Sequence, residues 1–132
     1  MDWFADDIIQ FMDTLKIENA IICGLSMGGF IALNLMKRYP ERFSALILCD
    51  TQCIADTAEV KENRFKAIKK IEADGVFDFN DSFIKKVFHK ESLENKKELV
   101  SNLRNVVFSN SEHIIKQGLI ALAERSETCS IL

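Results

Sequence analysis

Ile22-Cys23-Gly24-Leu25-Ser26-Met27-Gly28-Gly29-Phe30-Ile31-Ala32-Leu33 is the stretch whose reading decides the fold. It joins a short apolar run, Ala20 to Cys23, to a helical segment, Phe30 to Tyr39, that Pro40 closes. No polar residue alternates within the run, which is the pattern of a strand covered on both faces, as in a parallel sheet. Beyond Pro40 lies a second apolar run, Ala45-Leu46-Ile47-Leu48-Cys49, ending at Asp50. Strand, helix and strand within about thirty residues make a βαβ unit, which predicts parallel strands and a right-handed connection. Upstream, Phe4, Ile8, Met12 and Leu15 recur at helical spacing with Phe11 beside them, while Asp6, Asp7 and Asp13 fall off that stripe.

The turn between strand and helix carries the chemistry. Gly24-Leu25-Ser26-Met27-Gly28 is a Gly-x-Ser-x-Gly pattern, which alone is weak. Its position, where an apolar strand ends and a helix begins, is the setting a nucleophile elbow requires. Such a turn is tight, so Ser26 is expected in a strained backbone conformation. Gly24 and Gly28 lack Cβ atoms and let strand and helix approach closely, and Gly29 relieves packing in the same way. Ser26 then presents its Oγ at the strand end, with the positive end of the helix behind it. The backbone N–H of Met27 is the expected oxyanion donor. Leu25 and Met27 are the side chains expected nearest an acyl group. The bland alternative, a tight turn with Ser26 merely capping the helix, leaves three glycines unexplained.

After Asp50 the pattern turns wholly helical, from 55 to 126. Asp56 and Glu59 stand as a capping box opening a helix through Val60, Ala67, Ile68 and Ile71 that stops at Asp74-Gly75. Phe83, Ile84, Val87 and Phe88 mark a second helix, and Leu99, Val100, Leu103, Val106 and Val107 a third. Ser109 and Glu112 suggest a second capping box, opening a fourth helix through Ile114, Ile115, Gly118, Leu119 and Leu122. Six of the ten phenylalanines fall after residue 64: Phe65, Phe77, Phe79, Phe83, Phe88 and Phe108. They pack helix against helix, or some of them line an apolar pocket above Ser26.

The bulk numbers narrow the partners. The chain has 132 residues, 48% hydrophobic and 28% charged, with a net charge of -3. That balance gives no sign of nucleic acid, and Lys69-Lys70, Lys85-Lys86 and Lys96-Lys97 read as solvated helix faces. Ala20 to Met36 is uncharged, yet it is short for a membrane span and holds Gly24, Gly28, Gly29 and Asn34. Met1-Asp2-Trp3-Phe4 lacks the basic start of a secretory signal. Cys23, Cys49, Cys53 and Cys129 lack CxxC spacing and are expected to be reduced thiols in a cytoplasmic protein. With two histidines in the chain, no metal site and no cofactor are expected.

Here the sequence resembles a known family. The stretch from Ile22 to Leu33 is similar to the elbow of α/β-hydrolases, and Gly-Leu-Ser-Met-Gly-Gly to that of the 3-oxoadipate enol-lactonase-like esterases. Tyr39-Pro40-Glu41-Arg42-Phe43, Leu48-Cys49-Asp50-Thr51 with Ala55-Asp56-Thr57, and Leu119 to Ser126 resemble the segments that follow in that family. The resemblance implies an α/β class: a partial α/β-hydrolase fold, with a parallel βαβ core and elbow in 1–54, a helical cap in 55–126, and a return toward the core in 127–132. It implies a serine hydrolase acting on a small ester or lactone through an acyl-enzyme on Ser26.

The family places its acid and histidine after the cap, and this chain shows neither in recognisable form. Asp50, at the end of the second strand, is a candidate acid. His89 and His113 read as surface residues of the cap. Two parallel strands alone leave backbone groups unpaired on both edges. The isolated chain is therefore expected to be marginal, oligomeric, or completed by another polypeptide. Three alternatives stay open: an incompetent fragment serving as an interaction or structural module, an acyltransferase, and a cofactor-free haloperoxidase.

Overall fold

The computed structural model describes all 132 residues. They fold as two compact units, one comprising Met1–Ala58 with Ala121–Leu132 and the other Glu59–Ile120.

The first unit holds α1 (Asp2–Thr14), β1 (Ala20–Leu25), α2 (Met27–Arg38), a single 3-10 turn at Pro40–Arg42, and β2 (Phe43–Cys49). β1 and β2 pair in parallel, with Ile22 opposite Leu46 and Leu25 opposite Cys49, so the βαβ unit expected from the apolar runs forms. Its core is Ala5 and Met12 of α1, Leu35 of α2 and Phe43 of β2, with Ile8, Ile22, Ile31 and Tyr39 packed against it. Lys16 takes a left-handed backbone (φ 57°), which ends α1 and leaves Leu15 exposed instead of continuing the stripe.

The strands are not covered on both faces. Ile22 faces the core and Gly24 faces the backbone of α2, but Ile21 (63% exposed), Leu25 (66%), Cys23 and Ile47 lie open on the other side. The reason is the count of layers: within this unit, α1 and α2 cover a single face of a sheet of two strands.

Polar contacts hold the rest of the unit. Arg42 donates to the carbonyls of Ile17 (2.9 Å) and Glu18 (3.0 Å) and lies 2.7 Å from Asp13, tying the Pro40 turn to the approach to β1. Tyr39 Oη donates to Asp6 (2.8 Å), and this bond, with Arg38 nearby, holds the Asp6 carboxyl below the usual carboxylate range.

The cysteine expectation is overturned at two positions. Cys53 and Cys129 form a disulfide, while Cys23 and Cys49 remain thiols. The pairing joins residues 76 apart, so no local spacing could signal it. Thr128 donates its N–H to the Cys53 carbonyl (2.8 Å) alongside the bridge. Arg125 is buried here as well. Its Nη1 lies 2.6 Å from Asp56, its Nε donates to the Ile54 carbonyl (3.3 Å), and its guanidinium sits 4.1 Å from the Phe30 ring centre.

The second unit is all helix: α3 (Ala58–Asp74, entering from the first unit), α4 (Phe77–Val87), α5 (Lys90–Asn95), α6 (Lys97–Ser109) and α7 (Glu112–Ala123), whose last residues from Ala121 belong to the first unit. α3 stops at Gly75, which has φ 80°. α5 has no counterpart in the sequence reading. Both proposed capping boxes shift. Asp56 lies two residues ahead of α3 and spends its carboxylate on Arg125. Ser109 donates to the Val106 carbonyl at the end of α6 (2.8 Å), and it is Ser111 whose Oγ accepts the Ile114 N–H (3.3 Å) at the start of α7. Ile68, Ile71 and Leu119 form the core of this unit, with Phe79 packed on it. Phe77 and Phe108 meet edge to face at 5.4 Å, and Arg104 lies over both rings. Two of the phenylalanines expected in a pocket or a packing role thus pack helix on helix.

Candidate active site

The elbow is built by the ends of two strands and the start of one helix. β1 ends at Leu25 and α2 begins at Met27, so a single residue, Ser26, makes the whole turn. Its backbone is at φ 50° and ψ -112°, a region that side-chain-bearing residues rarely occupy. The strain expected from the sequence is therefore present at that residue.

Close backbone packing leaves the chain no easier path. A Cβ on Gly24 would overlap the Gly28 carbonyl and the Gly29 nitrogen, so only glycine lets β1 lie this near α2. A Cβ on Gly29 would overlap the Thr51 side chain. Gly28 differs: a Cβ there meets nothing within 4 Å, so its contribution is the nearness of its own backbone to Gly24 and not the room a missing side chain leaves.

Three hydrogen bonds then fix Ser26. Its N–H donates to the Cys49 carbonyl at the end of β2 (2.9 Å). Its own carbonyl accepts from the Gly29 N–H (3.0 Å) and from Thr51 Oγ1 (2.9 Å). The Ser26 side chain is exposed, as is Leu25, and Met27 is half-buried. Met27 is the first helical residue, so its N–H has no acceptor within the helix. That free donor and the positive end of α2 lie beside the hydroxyl, which is the electrostatic arrangement that favours an oxyanion.

Not every expected residue comes together here. Asp50 follows β2 directly and is exposed, with a left-handed backbone at φ 44°. No histidine belongs to the first unit, since His89 and His113 are both exposed residues of the second. Asp50 therefore has no imidazole to orient within its own unit. His89 precedes α5 and lies 3.9 Å from Glu91. The cavity lined by Trp3, Phe30, Asn34, Cys53 and Arg125, about 370 Å³, does not include Ser26. No group of three or more His, Cys, Asp and Glu side chains is arranged to hold a metal, and no helix is long and apolar enough to cross a membrane. Thr51 is the contact the sequence reading missed. Its signal was present in Leu48-Cys49-Asp50-Thr51, but only the fold shows that its hydroxyl reaches the Ser26 carbonyl.

Comparison with known proteins points the same way. A sequence model described as the alpha/beta hydrolase fold matches residues 1–74. 3-oxoadipate enol-lactonase 2 of Acinetobacter baylyi is 27% identical over 124 residues, which make up 94% of this chain and 45% of that protein. A thermophilic esterase from Thermogutta terrifontis superposes with a TM-score of 0.90 at 27% identity, over 97% of this chain and 47% of that one. The enol-lactonase from Burkholderia xenovorans superposes at 0.84 with 25% identity, over 96% of this chain and 47% of that one. The chain thus spans about half the length of the relatives it matches.

Proposed function

Because the chain belongs to the α/β-hydrolase fold family, we propose that it carries the nucleophile of a serine hydrolase that opens a small ester or lactone through an acyl-enzyme on Ser26. The observation that carries this reading is the conformation of Ser26: an exposed hydroxyl on a strained single-residue turn at the start of a helix. A hydrolase fold whose relatives include enol-lactonases and an esterase supports the ester or lactone class.

In the reaction, Ser26 Oγ attacks the carbonyl carbon while a base takes its proton. The carbonyl π electrons move to oxygen, and the Met27 N–H donates to that oxyanion. Collapse re-forms the carbonyl, breaks the bond to the alkoxide and leaves an ester on Ser26, and the base returns its proton to the departing oxygen. Water then repeats the sequence and frees the acid. Leu25 and Met27 are the side chains placed to touch the acyl group. The base comes from outside the first unit, which has no histidine. The helical cap expected over 55–126 is part of this reading.

A fluorophosphonate probe tests it. Labelling on Ser26, absent in Ser26→Ala, is the expected result. If the chain labels only when polypeptide bearing a histidine and an acid is added, the elbow is sound and the isolated chain is incompetent. Labelling in neither case rejects the reading.

One observation favours a second role beside the first. The open sheet face of Ile21, Cys23, Leu25 and Ile47 is a contiguous apolar surface, and both strands are sheet edges. We infer that this face is completed by further polypeptide. Sedimentation of a stable monomer with that face accessible to apolar dyes would count against it. A cytoplasmic location stays the reading from sequence, with the Cys53–Cys129 bridge as the observation against it, since such bonds persist in oxidising compartments.

A further inference from the structure

The two backbone groups that define an elbow belong to one rigid unit. The carbonyl of Ser26 and the N–H of Met27 are opposite ends of the same peptide plane. In a trans peptide they point in opposite directions, so whatever holds the carbonyl also aims the N–H. The carbonyl is held by two donors. One, the Gly29 N–H, comes from the helix itself (3.0 Å); the other, Thr51 Oγ1, is a side chain reaching across from the residues after β2 (2.9 Å).

Thr51 reaches that carbonyl because of two features of its surroundings. Asp50 adopts φ 44° at the bend that follows β2, and residue 51 lies against the start of α2. Gly29 has no side chain, and the space its Cβ would occupy is filled by Thr51 Cγ2, Oγ1 and Cβ. The threonine is thus wedged against the first turn of α2 with its hydroxyl directed at Ser26. The Ser26 N–H is meanwhile held by the Cys49 carbonyl (2.9 Å). Residues 49 and 51 therefore grip both polar groups of the strained residue, and Asp50 supplies the turn between them.

We propose that Thr51 is a positioning residue for the oxyanion site, its hydroxyl fixing the Ser26–Met27 peptide so that the Met27 N–H faces the developing oxyanion. This rests on the reading of Ser26 as nucleophile. A second effect works in the same direction: donation to an amide oxygen polarises the amide and strengthens its N–H as a donor. The contact of Thr51 with Ser26 is to the backbone carbonyl, and it is through the backbone that it acts.

The test compares Thr51→Val, which keeps the shape and removes the donor, with Thr51→Ser, which keeps the donor and loses a methyl. The probe is a fluorophosphonate, whose phosphoryl oxygen gains charge in the same place as a carbonyl oxygen. The expected result is a maximal labelling rate about tenfold lower in Thr51→Val, an unchanged half-saturating probe concentration, and recovery to within about threefold in Thr51→Ser. Equal labelling by wild type and Thr51→Val, or an equal loss in Thr51→Ser, overturns the proposal. Should Thr51→Val fail to fold, Thr51→Ala takes its place against Thr51→Ser. The second readout needs no activity: the Ser26 carbonyl carbon resonance, which reports hydrogen bonding, should move in Thr51→Val and return in Thr51→Ser. If the wild-type chain labels neither alone nor with polypeptide bearing a histidine and an acid added, the nucleophile reading fails, and that resonance still decides whether Thr51 holds the carbonyl.

Discussion

In the first unit Ala5, Leu33, Leu35 and Ala123 are completely withdrawn from solvent, whereas α6 of the second unit buries no residue and leaves Leu99 and Val106 exposed. Both regions contain helices with apolar stripes, so helix propensity does not separate them. What differs is how near backbones come. α2 lies on β1 at a glycine contact, and its covered face buries Ala32, Leu33 and Leu35. The second unit relies on a smaller cluster, Ile68, Ile71 and Leu119, and on surface pairs such as Lys116 with Glu72 and Lys70 with Asp78. The elbow sits in the part of the molecule where the backbone has the least freedom to relax, which is what a strained residue requires.

The strongest way to break this comparison is to add one methyl group. Gly24→Ala places a Cβ into the backbone of Gly28 and Gly29, which cannot swing aside as a side chain could. A loss of more than about 4 kcal/mol, or a chain that no longer folds, is expected in urea unfolding. Gly28→Ala meets open space and should stay within about 0.5 kcal/mol of wild type. Equal losses at the two glycines would show that the elbow is not set by this approach.

That pair of glycines also shows what the sequence makes legible. Gly24, Ser26 and the apolar runs lie within one local segment, so spacing alone places a strand, a turn and a helix around a nucleophile. The open face of β1 was not legible, because a run without polar alternation reads as covered on both sides whether or not a second layer is present. Thr51 was quoted in the family-like segment but gained a role only through the φ of Asp50 and a contact 25 residues back. Ser109 and Ser111 stand two apart with similar composition around them, and which one caps α7 depends on where α6 ends. The disulfide joins residues 76 apart, which no local pattern records.

The next largest effects lie where the first unit closes on itself. Cys53 and Cys129 are 76 residues apart, and a bond closing a loop of that length restricts the unfolded chain by about 4 kcal/mol. Reduction, or Cys53→Ser, should lower the urea midpoint accordingly, and alkylation without reductant should modify two cysteines and not four. Asp56→Ala should cost about 3 kcal/mol, since it strips the carboxylate from an Arg125 whose side chain is 3% exposed. Asp56→Ala with no effect on unfolding would mean that this closure contributes nothing to the first unit.

The smallest effect separates the units by pH. Asp81 of α4 accepts from Lys85 and from Arg104 of α6, each at 2.7 Å, and these bonds hold its carboxyl below its ordinary value of 3.8. A carboxyl whose pKa is lower in the folded state stabilises fully above the ordinary value and loses that contribution as pH falls through the lowered one. Asp6 in the first unit has the same sign, lowered chiefly by the Tyr39 hydroxyl and also by Arg38. The window is therefore shared, and the depth of packing beneath each carboxylate decides the response. Arg104 holds Asp81 while lying over Phe108 and Phe77, so protonating Asp81 frees the guanidinium that spans α4 and α6. Tyr39 is also packed on the core of Ala5, Met12, Leu35 and Phe43, which is expected to hold the ring when Asp6 is protonated. Ring resonances followed from about pH 6 to about pH 2.5 should show Phe108 moving more than Tyr39, with both still above pH 5 or so. Asp81→Asn should give the low-pH Phe108 position at neutral pH. If Tyr39 moves first or further, deep packing does not protect the first unit, and the contrast between the two regions has to rest on the glycine contact alone.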